Sequence, residues 1–229
     1  MNTDSMITLY RVCTQRDKEN SYVLNSSNHY ALTNEQALQE IVSHELNART
    51  GRGVFYSFTY DLELARGYKV RNPKNTEICY INIDLENMIT GVLGIYPIYS
   101  RDYVMSLMCS APKVLSEGRV LDPATGRGHS LLGILNTSQH TVCGWAHSMR
   151  EIVLQCEELE LKVLDDNSRV FDRDTQVMDS IIRRHLHPVV TEESMERLRS
   201  IITRSFVDSG CKRLFLIDKI TKNEWAKVA

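Results

Sequence analysis

The chain has 229 residues, 27 basic and 29 acidic, with a formal net charge of -2, and its side chains are 42% hydrophobic and 24% charged. That length buries a full core in about one domain, and the average composition excludes disordered and fibrous classes. The near-neutral charge argues against binding to nucleic acid chiefly through phosphates, and no apolar run is long enough to span a membrane.

Read in chain order, residues 7–13 alternate apolar and polar and predict a strand. A polar loop runs to Asn28. Thr33-Asn-Glu-Gln36 then reads as a capping box, in which a hydroxyl and an amide satisfy exposed backbone N–H groups. Ala37, Leu38, Ile41, Val42 and Leu46 give the helix that follows one apolar face. Gly51 and Gly53 close it before a strand over 54–59. Asp61 is the expected cap of a helix over 62–68, and Arg71-Asn-Pro-Lys-Asn75 is a turn. Residues 78–83 alternate as a strand, 92–98 read as another broken by Gly94 and Pro97, and 104–108 fit helix or strand. Residues 118–138 are rich in turn formers, and two strands are predicted at 151–154 and 159–164. After Asp172 the apolar spacing turns helical: Val177, Ile181, Ile182 and Leu186, then Met195, Leu198, Ile201, Ile202 and Phe206, with Pro188 between the two runs. Leu214 to Ile217 is a short apolar run. Short strands among short helices, followed by helices, predict an α+β fold with a core over 1–168 and a helical extension over 169–229.

The six cysteines, at 13, 79, 109, 143, 156 and 211, show no C-x-x-C spacing, which predicts reduced buried thiols and folding in a cytosol. Residues 1–10 carry Asp4 and neither a basic n-region nor an apolar h-region, so no cleavable Sec signal peptide is expected. No phosphate-binding glycine loop, nucleophile elbow or H-E-x-x-H pattern is present. Gly126-Arg-Gly128 is too short to cradle a phosphate. His185 and His187, two apart, do not share a helix face, so no metal site is expected.

Three local patterns carry chemistry in combination. Arg11 sits inside an apolar strand, Leu9-Tyr-Arg-Val12, and burying it demands an anion or a carboxylate. Ser57-Phe-Thr59 puts two hydroxyls on one side of a strand that runs into a helix. Glu151 opens the apolar strand Glu151-Ile-Val-Leu154. Separately each has an ordinary structural reading: an ion pair, a strand-to-helix junction, a strand start.

In this order they form an R-S-E layout that resembles the mono-ADP-ribosyltransferases of the cholera toxin and clostridial C3 kind. Glu77 to Asp84, with Asn87-Met88 and Gly91 to Gly94, is similar to the strand and turn after the Ser motif of enterotoxin subunits. Leu159 to Leu164 looks like the strand after the catalytic Glu. The likeness spans about residues 7 to 165 and implies a split β-sheet core with NAD as co-substrate and no metal. It also implies Arg11 on the diphosphate, with Ser57, Thr59 and Phe58 beside the cofactor. Ser57 would hold Glu151 by a hydrogen bond, and Glu151 would grip the nicotinamide ribose and stabilise an oxocarbenium-like transition state. Trp145, His147 and Met149 lie in the stretch 136–148 and just beyond it, a predicted loop where the family contacts its protein substrate.

Met149 stands where arginine-modifying members carry Glu or Gln and where the C3-like members carry Gln. This disfavours Arg and Asn acceptors and leaves a Ser or Thr hydroxyl, as in effectors that modify ubiquitin. Asp102 is the alternative to Glu151 as the acid. The resemblance implies a monomeric bacterial effector, secreted without a Sec signal, that modifies a host protein in the host cytosol. It needs neither nucleic acid nor membrane. An NAD glycohydrolase using the same pocket, or a silent partner-binding module, remain the alternatives.

Overall fold

The computed structural model describes residues 4–47, 53–71, 74–87, 89–136 and 141–208. Its elements follow local signals closely. Strand β1, Met6–Thr14, ends at Thr14, whose hydroxyl and the Asp17 carboxylate form a capping box for α1, Gln15–Glu19. The short β2, Val23–Leu24, follows Ser21 and Tyr22, both left-handed. Helix α2, Asn34–Asn47, begins as expected: Gln36 N–H donates to Thr33 Oγ1 at 3.3 Å and Thr33 N–H donates to Gln36 Oε1 at 3.0 Å. Strand β3, Tyr56–Thr59, leads into α3, Leu62–Arg71, where Leu64 N–H donates to the Asp61 carboxylate at 3.1 Å. Then come β4, Asn75–Asp84, and β5, Val92–Tyr96.

The ambiguous stretch around 104–108 is helical: α4, Arg101–Cys109, is capped by Ser100 and buried over 103–109. A run of apolar residues has no period when every face is covered, so the pattern could not decide. Helix α5, Pro112–Glu117, starts on proline and stops at Gly118, whose φ of 66° few other residues tolerate. The turn-rich stretch after it holds a hairpin, β6 (Arg119–Leu121) with β7 (Gly128–Ser130), and a short helix α6, Leu131–Leu135. The predicted loop over 136–148 is instead largely α7, Val142–Met149, capped by Thr141. Strand β8, Glu151–Cys156, follows.

The single strand expected at 159–164 is two strands, β9 (Leu159–Glu160) and β10 (Lys162–Val163), which serve different sheets. Buried Leu161 between them, donating its N–H to Tyr22 O at 3.0 Å, marks the change. The last two helices are α8, Thr175–Leu186, capped by Asp174, and α9, Glu192–Asp208. The expected run at 214–217 and Cys211 lie outside the described residues.

The fold is α+β. Its main sheet has the order β10-β4-β1-β3-β8-β5, with antiparallel neighbours. The β1–β4 and β3–β8 ladders are long, whereas β1 and β3 face each other at one register pair, Tyr10 opposite Thr59. The sheet is thus two three-stranded halves joined at one point.

A core of Phe55, Tyr96 and Val153 with α2, α4 to α7 and α9 fills one region. A second, of Ile7, Leu9, Phe58, Ile81, Ile152 and Leu154, is closed by α8. Met178, Ile181 and Ile182 of α8 and Met195, Leu198 and Ile202 of α9 belong to these cores. Helices α8 and α9 thus pack into the same cores as the strands and helices before residue 168. Cys13, Cys79, Cys109, Cys143 and Cys156 are free and buried. No described helix is long and apolar enough to cross a membrane.

Candidate functional site

Four side chains from three elements, Ser57 of β3, His44 and Glu45 of α2 and Glu151 of β8, meet where β1 and β3 part. Register puts Thr59 opposite Glu151 and Ser57 opposite Val153, so Ser57, Thr59 and Glu151 share one face of the β3–β8 ladder. Arg11, one residue beyond the β1–β3 contact, reaches across the gap and donates Nη1–H to Ser57 O at 3.1 Å. Its Nη2 lies 3.6 Å from Asp17, its guanidinium sits 5.3 Å over the Tyr56 ring, and its Nε is buried with no partner.

The family resemblance led us to expect a Ser57–Glu151 hydrogen bond, but the two side chains do not bond directly. His44, from the last turn of α2, stands between them. Its Nε2 shares a hydrogen bond with Ser57 Oγ at 2.9 Å and lies 3.7 Å from Glu151 Oε1. The His44 and Glu151 side chains keep 16% and 12% of their surface exposed, so the pair is sheltered yet reachable. Glu45 completes the group. Burial, the Glu151 charge and a hydrogen bond to Glu151 push the Glu45 carboxyl up to about 9. That shift favours the neutral form of the Glu45 carboxyl at neutral pH.

Sequence reasoning missed His44 and Glu45, although a signal was there. Glu45 falls four residues after Ile41 and three after Val42, on the stripe that Leu38 begins, so it is a carboxyl on the buried face of α2. Leu46, assigned to that stripe, is 40% exposed.

The other predicted residues scatter. Phe58 is buried among Ile152 and Leu154 and offers no ring face to a cofactor. Thr59 is buried, and its hydroxyl accepts Asp61 N–H at 3.1 Å, which starts α3. On α7, Trp145 is exposed, His147 donates Nδ1–H to Tyr99 O at 3.3 Å, and Met149 is half-buried. Asp102 pairs with Arg183 at 3.0 Å, away from Ser57 and its partners.

His147 and Asp102 line a cleft of about 830 Å³ together with Tyr60, Asp61, Tyr99 and Arg150. Tyr60 and Tyr99 both donate to Asp179, at 3.2 and 2.7 Å, and burial with that carboxylate raises both phenols above their usual range. Arg150, left-handed at φ 47°, pairs with Asp61 and lies 5.8 Å over the Tyr60 ring. The cleft begins one residue after Thr59 and one before Glu151, but neither Arg11, Ser57 nor Glu151 lines it.

No protein-family model, curated protein or solved structure gives a significant match to the chain.

Proposed function

We propose that this chain is an NAD-dependent mono-ADP-ribosyltransferase with an ADP-ribosyltransferase-like split sheet, acting on a protein hydroxyl. The observation that supports the reading is that Ser57 and Glu151, bridged by His44, lie where the sheet divides, with Arg11 bonded to the Ser57 main-chain carbonyl beside them.

The required chemistry matches their types. In NAD the bond between C1′ of the ribose and the nicotinamide nitrogen breaks, the electron pair leaves with nicotinamide, and C1′ becomes oxocarbenium-like. A carboxylate beside that carbon stabilises the developing charge, and Glu151 has that role. Arg11 Nε, buried and unpartnered, is the donor that a diphosphate oxygen would satisfy. Ser57 and His44 keep Glu151 in place. The acceptor oxygen forms the new bond to C1′ and gives up its proton to solvent water.

Met149 has no group to deprotonate a guanidinium, which favours a Ser or Thr hydroxyl, as on ubiquitin. Trp145 and His147 on α7 are the substrate-facing contacts. In this reading the protein is a monomeric secreted effector that acts on a host protein in the host cytosol.

The test is incubation of the chain with labelled NAD and candidate host proteins, followed by intact mass spectrometry. An ADP-ribose adduct on a hydroxyl side chain is expected, and the Glu151→Ala chain should transfer at least ~10²-fold more slowly. Free ADP-ribose with no protein adduct would instead make the enzyme a glycohydrolase. No NAD binding in isothermal titration would overturn the enzymatic reading.

A further inference from the structure

We infer that His44, Glu45 and Glu151 form a binding site for one divalent transition-metal ion of the zinc class. The inference goes beyond the transferase reading and does not depend on it.

The geometry comes first. One ligand atom from each of the three residues lies within 4.8 Å of the other two. A tetrahedral zinc ion bonded at ~2.0–2.2 Å to nitrogen and oxygen sets its ligand atoms roughly 3.3–3.5 Å apart. His44 Nε2 and Glu151 Oε1 are already 3.7 Å apart, so small side-chain rotations close the set. Once the ion displaces the Glu45 proton to solvent, one imidazole and two carboxylates suit zinc, manganese, iron or cobalt, whereas calcium and magnesium prefer oxygen alone.

The scaffold comes second. His44 and Glu45 are in the last turn of α2, a 14-residue helix, and Glu151 is the first residue of β8, a strand paired on both sides. Ligands on such elements are held in place without ordering a loop. The carbonyl end of a helix carries partial negative charge, which favours a cation there. Ser57 Oγ, 2.9 Å from His44 Nε2, adds a hydroxyl beside the site. Three protein ligands leave a fourth position for water or a small anion.

The ion would also occupy the Glu151 carboxylate. Metal and a ribose hydroxyl would then be alternatives at the same oxygen atoms, so the metal-loaded chain would be closed to any ligand that Glu151 grips.

The test uses the full chain freed of metal by a chelator and then titrated with Co²⁺ alone, read by visible absorption and by calorimetry. NAD is absent, so the outcome is separate from the fate of the transferase reading. One ion per chain is expected, with a nitrogen-and-oxygen ligand-field spectrum and no thiolate charge-transfer band. Glu45→Gln and His44→Gln, each checked for a native circular dichroism spectrum, should weaken binding at least ~10-fold, the scale lost on removing even a supporting group. Should His44→Gln fail to fold, the near-isosteric Glu45→Gln carries the test. Absence of saturable binding, a thiolate band, or affinity unchanged in the folded variants would overturn the inference.

Discussion

Two regions at the ends of β3 and β8 treat their charges in opposite ways. In the cleft, cations and carboxylates are matched: Arg150 with Asp61, Arg183 with Asp102, and two tyrosine hydroxyls with Asp179. At the split in the sheet the matching is incomplete, although Arg11 lies 3.6 Å from Asp17. Glu45 and Glu151 crowd together, His44 is shared between Ser57 and Glu151, and Arg11 keeps a buried N–H with no partner. Matched charges hold a surface together, while crowded carboxylates and unpaired donors persist where a ligand, proton or ion completes them. Volume draws attention to the cleft of about 830 Å³; charge balance draws it to the split.

The largest expected effect sets the two regions against each other. Glu151→Ala should lower ADP-ribose transfer at least ~10²-fold, whereas Asp102→Asn should leave the rate unchanged. The reverse result, read in the same labelled-NAD assay, would move the chemistry into the cleft.

Next in size is the pH dependence that Glu45 imposes. Its folded-state value, about 9, lies above the value of an unfolded glutamate. A raised carboxyl contributes fully below the unfolded value, roughly 4.3, and its contribution is lost as pH climbs through the folded one. Relative to Glu45→Gln, which is neutral throughout, the natural chain should therefore lose stability progressively between about pH 5 and pH 9. Thermal unfolding in chelator across that range reads the widening gap in Tm; parallel curves would mean that Glu45 is not held protonated.

A smaller effect belongs to the cleft. Tyr99→Phe removes a buried hydroxyl that donates to Asp179 at 2.7 Å, and no buried donor is left unpaired, so stability should fall by only about 1 kcal/mol. A loss several times larger in urea unfolding would show that the cleft is a cooperative network. Smallest of all, Asp102→Asn breaks an ion pair whose arginine side chain is half exposed, and it should cost about 0–1 kcal/mol.

Much of the fold was legible because its signals are local. The Thr33–Gln36 box, the Asp61 cap, the alternation of β1 and β4 and the helical spacing of α8 and α9 depend on residues a few positions apart. Where the reading failed, tertiary burial had erased the pattern. Helix α4 is covered over most of its length, α7 lies under a turn-rich composition, and Leu161 divides one apparent strand between two sheets. Around the split, type and order singled out Arg11, Ser57 and Glu151. His44 and Glu45 were not, because they matter only for what they touch.

Caps and periodicity act over a single turn or strand, so the class of the fold and most element boundaries could be read along the chain, and residue types singled out Arg11, Ser57 and Glu151. That β1 and β3 meet at one point and then part, and that α2 ends against the first residue of β8, came from packing over long separations. Those contacts depend on how two half-sheets twist and which helix covers the opening. They turn a carboxylate at a strand start into a member of a crowded, proton-sharing group.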